Sequence, residues 1–275
     1  MADSRSYSLA YLSTAPVNMP GMLDLAARLG YQHICARCSR VTASIGSPAL
    51  IDAVDLREAV ARIRDTGVTV LGAEVAWLHS EFRIESYEPL VAAASELGAR
   101  TIVAISADND EARATGSFAS LCETAGCYGL TVGIEFMPWT PVPDANAAVK
   151  LVRNSGSQFG RVLIDSIHVA RSRTHLQDLS AIPHEMIGYF HICDAPSAPP
   201  ESMDACKEAA RSERLLPGDG QLDLAGMLSR LPIDLPISVE VPNTQCLRAL
   251  GAEDWARRAL AAARRVVEGQ QGWLN

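Results

Sequence analysis

Glycines recur along this chain at an interval that strongly limits what it can fold into. Gly30, Gly67, Gly98, Gly129 and Gly160 lie 37, 31, 31 and 31 residues apart. Each follows an apolar-periodic segment and precedes a short run rich in Val, Ile and Leu. Glycine takes positive φ without steric cost, so it suits the residue just past a helix C-terminus. All five are therefore expected to end helices. The runs that follow, at 68–74, 101–106, 131–136 and 161–165, are almost continuously apolar, as strands buried on both faces are. Between them lie helical stripes: Leu56, Val60 and Ile63; Leu90, Ala94 and Leu97; Phe118, Leu121, Cys122 and Ala125. A repeating strand, loop and helix of this period implies right-handed βαβ crossovers and a parallel sheet.

Extending the pattern gives eight strands, at 7–12, 32–37, 68–74, 101–106, 131–136, 161–165, 188–193 and 236–241. Eight such units in 275 residues predict an α/β fold, a single (β/α)₈ barrel spanning 1–275 as one domain. An open dinucleotide-binding sheet is disfavoured, because no Gly-x-Gly-x-x-Gly turn follows the first strand. The stretch 194–220 carries Pro196, Pro199, Pro200, Pro217, Gly218 and Gly220. It is expected to be a long loop over the barrel mouth with a short helix near 202–211.

Charge narrows the partners. The net charge is −8, whereas a nucleic-acid binder usually presents a basic face, so no nucleic acid is expected. No apolar run approaches the length of a membrane span and no export signal is read at the N-terminus. Seven cysteines, an odd number, then suggest reduced thiols in a cytoplasmic protein. The expected partner is a small-molecule substrate, with a homo-oligomer left open. Cys35-x-x-Cys38 has no second pair at zinc-finger spacing and ends a strand rather than opening a helix, so neither a redox nor a zinc role is read into it. The arginines of the trailing helix at 252–268 read as a solvated face.

The chemistry sits where buried strands end in ionisable groups. In a barrel of this kind such groups point into the C-terminal mouth. Glu135, Asp165, His191 and Glu240 close four successive strands. Neighbouring strands stand ~5 Å apart, so the four side chains can converge on one point. Three carboxylates and an imidazole form a hard donor set that suits one divalent ion, Mn²⁺, Mg²⁺ or Co²⁺ before Zn²⁺. Without a cation such carboxylates repel one another or take up protons. Around them, Glu74 ends the third strand and reads equally as a substrate contact or an ion-pair partner. Arg37 ends the second strand and can reach an anionic or hydroxyl-rich substrate. His168 follows Asp165 in the turn. Trp77, Met137 and Trp139 read equally as an apolar wall of the pocket or as a cap on the barrel. In the segment Arg214-Leu-Leu-Pro-Gly-Asp-Gly220, the Pro-Gly turn is expected to free backbone amides, and Arg214 to fork onto a carboxylate, phosphate or sugar hydroxyl.

Taken together, GIEF (Glu135), LIDSIH (Asp165, His168), YFHICD (His191), RLLPGDG (Arg214) and SVEVP (Glu240) resemble the xylose-isomerase-like TIM barrel superfamily, and within it the sugar phosphate isomerases/epimerases. The resemblance runs over nearly the whole chain. It implies that Glu135, Asp165, His191 and Glu240 bind one divalent metal and that His168 and Arg214 contact substrate. It also implies that Glu135 and Glu240 move a proton next to a carbonyl through an enediolate, as in the ketose 3-epimerases. The chain departs from those epimerases six residues after Glu135, where Pro141 replaces a substrate-binding Glu. The 3-dehydroshikimate dehydratases share the ligand set and the Asp-x-x-His, so a lyase acting on a keto-sugar or cyclic keto acid is the alternative, and a non-catalytic ligand-binding barrel a third. The related endonuclease IV needs an Asp-x-His after the seventh strand, where this chain has Asp219-Gly-Gln221.

Overall fold

The fold is seen in a computed structural model that describes residues 5–40, 49–50 and 52–271. Eight parallel strands close into a barrel. They are β1 (Tyr7–Ala10), β2 (His33–Arg37), β3 (Thr69–Leu78), β4 (Thr101–Ser106), β5 (Thr131–Glu135), β6 (Gly160–Asp165), β7 (Ile187–Ile192) and β8 (Ile237–Val239). Closure comes where β1 pairs with both β2 and β8, Leu9 lying against Ile34 on one side and Val239 on the other. Two further short segments, Ser39–Arg40 and Ala49–Leu50, pair antiparallel outside the barrel.

The helices between strands start and stop as their sequences direct. Asn18 caps α1 (Met19–Leu29) by accepting from Gly21 N, Asp110 caps α4 (Glu111–Cys127), which follows α3 (Glu88–Glu96), and Asp144 caps α5 (Ala145–Ser155). Gly30 ends α1 at φ 84°, and Gly67 ends α2 (Ala53–Thr66) at φ 72°. Gly160 departs from the expected pattern. The left-handed cap of α5 is Gly156, at φ 66°, and Gly160 instead opens β6. A Cβ at Gly160 would come within 3.1 Å of Phe118 and Val152, so the requirement there is for space rather than for positive φ.

Strand alternation sorts the core into two layers. Ile34, Val70, Ile102, Ile134, Val162, Phe190 and Val239 face outward, against helices that include α4 and α5. Cys35, Leu71, Val103, Ile105, Leu163 and Tyr189 fill the barrel interior. The buried Tyr189 ring needs Gly72 opposite it, where any Cβ would lie 2.5 Å from the tyrosine oxygen. The same period carries one more residue of each later strand into the open end. Glu135 stands two residues beyond Gly133, Asp165 two beyond Leu163, His191 two beyond Tyr189, and Glu240 two beyond Ser238. In β3 the ladder shifts register between Glu74 and Ala76, and both Glu74 and Val75 reach the cavity.

After α6 (Ser166–Arg171) and α7 (Leu176–Ser180), the chain beyond β7 does form a helix, α8 (Met203–Ser212), capped by Ser202. The C-terminal element Thr244–Gln271 is two helices joined at the non-helical Gly251, and the second, from 252 onward, matches the trailing helix expected at 252–268.

Candidate active site at the barrel mouth

A cavity of about 360 Å³ opens at the C-terminal ends of the strands. Its lining includes Glu135, His191, Glu240, His168, Arg214, Arg37, Glu74 and Trp77. Asp165 lies directly behind, fully buried and bonded to Arg214.

The ionisable groups form two overlapping triples. Donor atoms of Glu135, His191 and Glu240 lie within 4.8 Å of one another, and so do those of Glu135, Asp165 and His168. Glu135 belongs to both, and neither contains all four strand-end residues. His191 Nδ1 is buried 3.9 Å from Glu240 Oε2 and has no hydrogen-bond partner among the described residues. Its ring meets the Tyr189 ring edge-on at 5.0 Å, which fixes its plane. An orphaned imidazole nitrogen facing two carboxylates fits a divalent cation, because a cation supplies the partner that the protein does not.

The electrostatics agree. Burial pushes the Glu135 carboxyl well above the usual range, and the neighbouring negative charges of Glu240 and Asp165 push it further. Burial also disfavours the charge on Asp165, but Arg214 above all, with His168 and His191, carries that carboxyl down to about 2. Burial takes His168 to about 4 against the pull of Asp165, so its ring is neutral at pH 7. Its Nδ1 is also unpartnered, and Trp139 holds it edge-on at 5.1 Å.

Arg214 is the organising cation. One terminal nitrogen donates to Asp165 Oδ2 at 2.7 Å and lies 3.1 Å from Glu240 Oε2. Its Nε donates to the Ala210 carbonyl at 2.6 Å, tying it to α8. The backbone beside it is pinned in turn by Asp194. Asp194 and Leu215 exchange backbone hydrogen bonds, and the Asp194 carboxylate accepts from the amides of Ala195, Gly218 and Leu222. The Pro217–Gly218 turn therefore does not offer the free amides expected from its sequence. An aspartate three residues after His191 already fills it.

On the other side, Arg37 pairs with Glu74 at 3.4 Å and lies over the Tyr11 ring. Val75, Val103, Ile105, Met137, Trp77 and Trp139 make the apolar wall. Pro141 is exposed and outside the cavity. Cys35 and Cys38 are buried free thiols, both pushed up to about 12 by burial. Sequence reasoning missed Arg211, which reaches the cavity from the last turn of α8, and the structural use of Asp194. The end of the expected helix at 202–211 marked the first. Nothing local marked the second, because its three partners lie up to 28 residues away.

A barrel whose strand-end carboxylates and imidazole gather around one cavity defines the class. The chain belongs to the family described as xylose isomerase-like TIM barrel, which it matches over residues 23–266. Among characterised relatives, a 3-dehydroshikimate dehydratase of Pseudomonas aeruginosa is 30% identical over 145 residues, 51% of this chain and 22% of that protein. The chain thus spans about a fifth of the length of the curated relatives it matches. Among solved structures, a xylose isomerase-like TIM barrel/4-hydroxyphenylpyruvate dioxygenase fusion protein superposes with TM-score 0.82 at 22% identity, covering 98% of this chain and 44% of that one. The IolI protein with a binding zinc atom gives 0.79 at 19% identity over 96% and 99% of the two chains. An L-ribulose 3-epimerase gives 0.71 at 17% over 98% and 97%.

Proposed function

We propose that this chain is an enzyme that moves a proton at the carbon beside a carbonyl of a small sugar, polyol or keto-sugar, as an isomerase or epimerase dependent on one divalent cation. The observation that carries this reading is the convergence of Glu135, His191 and Glu240 within 4.8 Å at the floor of the cavity. These three would hold the cation, with Asp165 joined to them through Glu135. When bound, the cation supplies Lewis acidity toward a carbonyl and its neighbouring hydroxyl. The oxygen-rich donors favour Mn²⁺, Mg²⁺ or Co²⁺, and the zinc in the IolI protein supports Zn²⁺ as the next choice.

The protein's own residues divide the rest of the work. Glu135 has no ion pair among the described residues and accepts the proton as general base. Glu240, held by Arg214 at 3.1 Å, is the second acid: in an epimerase it would start protonated and give that proton to the opposite face of the carbon that Glu135 deprotonates, while in an isomerase Glu135 returns its own proton to the neighbouring carbon. His168, neutral and with Nδ1 unpartnered, is placed to hydrogen-bond a substrate hydroxyl. Arg37, Glu74 and Trp77 close the far side and exclude water.

A second reading shares the first step and ends in loss of water. It is supported by the name of the curated relative, a dehydratase, and by Pro141, which leaves no carboxylate where a ketose 3-epimerase would bind substrate. Incubating the Mn²⁺-loaded protein in deuterium oxide with ketoses, inosose-like polyols and dehydroshikimate-like acids tests both. Deuterium in recovered substrate or product marks proton transfer, and an ultraviolet-absorbing product marks the dehydratase. Neither signal, with Mn²⁺ bound, would remove both readings.

A further inference from the structure

The cavity is polar on one side and apolar on the other. In a closed barrel of eight strands, β3 and β4 stand across from β7 and β8. His191 on β7, Glu240 just past β8 and Glu135 at the end of β5 form the side proposed to hold the cation. Arg214 and His168 belong to that side too, Arg214 3.1 Å from Glu240 and His168 3.8 Å from Asp165. The facing side is built by β3, β4 and the loop after β5, and carries Val75, Val103, Ile105 and Met137. Trp77 and Trp139 pack against these four, which continue the packed interior of the barrel up into the mouth.

This wall has almost no hydrogen-bonding capacity. None of Val75, Val103, Ile105 and Met137 can donate, and only the Met137 sulfur can accept, weakly. The backbone carbonyls of Val75, Trp77 and Met137 already accept from the hydroxyls of Ser39, Tyr87 and Thr140. Glu74, the acid on β3, is paired with Arg37. Trp77 adds one donor, a buried Nε1 without a partner among the described residues. A sugar hydroxyl pressed against this wall would thus find at most one donor and no strong side-chain acceptor free to take its own proton. Burying a hydroxyl in that way costs binding, whereas a methyl group in the same place gains by leaving water.

We propose that the substrate is a neutral deoxy keto-sugar, and that its unhydroxylated end, a methyl group, lies against Val103, Ile105 and Met137. This rests on the proposed metal-assisted proton transfer and names the substrate class for it. The carbonyl and its neighbouring hydroxyl belong on the side of Glu135, His191 and Glu240, so the far end of the carbon chain is the part that meets the facing wall. Hydroxyl recognition is confined to the first half of the cavity, and Ile105, the most open of the four apolar side chains at 9% exposure, decides what the second half accepts.

The test is a calorimetric titration of Mn²⁺-loaded protein with D- and L-fructose and D- and L-tagatose, each beside its 6-deoxy form. In the pair that binds best, the deoxy sugar should bind about tenfold more tightly, within the discrimination an apolar pocket can make against an added hydroxyl. Two variants then assign the preference to the wall. Ile105→Val and Ile105→Thr have the same shape and differ only in a methyl against a hydroxyl, and both residues suit a strand. The valine variant should keep the preference, and the threonine variant should reduce it about tenfold. Comparing ratios between variants cancels any difference in how the two sugars cyclise in water. Val103→Thr, on the same strand, serves where Ile105→Thr does not fold. The proposal is overturned if the hydroxylated sugar binds as well as its deoxy form in every pair, if the valine and threonine variants show the same ratio, or if no sugar binds while Mn²⁺ does. A preceding Mn²⁺ titration keeps the two readings apart. No Mn²⁺ uptake removes the proposed function and this inference with it, whereas Mn²⁺ uptake without preference for the deoxy sugar removes this inference alone.

Discussion

Glu135 carries opposed demands. It is shared by both triples of donor atoms, and burial beside two other carboxylates raises its pKa well above the usual value. In the metal-free protein that arrangement costs stability, because a buried charge without a partner is expensive. Glu135→Gln keeps the shape and removes the charge. The metal-free variant should therefore unfold at a higher temperature than the metal-free parent, while Mn²⁺ affinity falls and turnover drops by roughly a factor of 10³ or more, as expected when a general base that is also a ligand is lost. Differential scanning of both proteins after chelation, alongside kinetics with Mn²⁺ restored, reads the two effects separately. A parent more stable than the variant in the metal-free state would mean that this carboxyl has a structural role instead.

At the scale of elements, the strands were legible because each is buried over most of its length and needs a nearly continuous apolar run. The run at 101–106 coincides with β4, and the other seven differ by a few residues at their ends. The extension of β3 to Leu78 was not legible, because it depends on a register shift against β4 that leaves no mark in composition. The site residues were legible for the same physical reason as the strands: a charged group closing an apolar run has only the barrel mouth to go to. Asp194 shows the limit. Its sequence neighbours gave no hint that its carboxylate accepts three amides from two loops. That interaction holds the segment after α8 and, through the paired backbones of Asp194 and Leu215, the position of Arg214. Asp194→Ala leaves buried amides unpaired and should cost about 3 kcal/mol of stability. In the folded fraction it should raise KM and lower kcat through a displaced Arg214, with Mn²⁺ affinity nearly unchanged. An unaltered kcat and KM would show that Arg214 holds its place without this turn.

For the whole molecule, the cation proposed here would link fold and function. Buried apolar strands and capped helices are enough to close the barrel, yet they close it around carboxylates that repel one another. Arg214 offsets that repulsion for Asp165 and Glu240, and His191 Nδ1 still lacks a partner among the described residues. A ligand that binds only the native state stabilises it by mass action, by about 2.7 kcal/mol when its concentration is a hundred times its Kd. In a chain of this length that corresponds to roughly 5–10 °C in Tm. Chelation should lower Tm by this amount, and Mn²⁺ should restore it in proportion to the logarithm of its concentration. The Glu135→Gln and Glu240→Gln variants should lose most of the Mn²⁺ response, whereas Cys127→Ser, an exposed thiol on the outer surface of α4, should keep all of it. A Tm that ignores both chelator and Mn²⁺ would exclude a cation held by Glu135, His191 and Glu240.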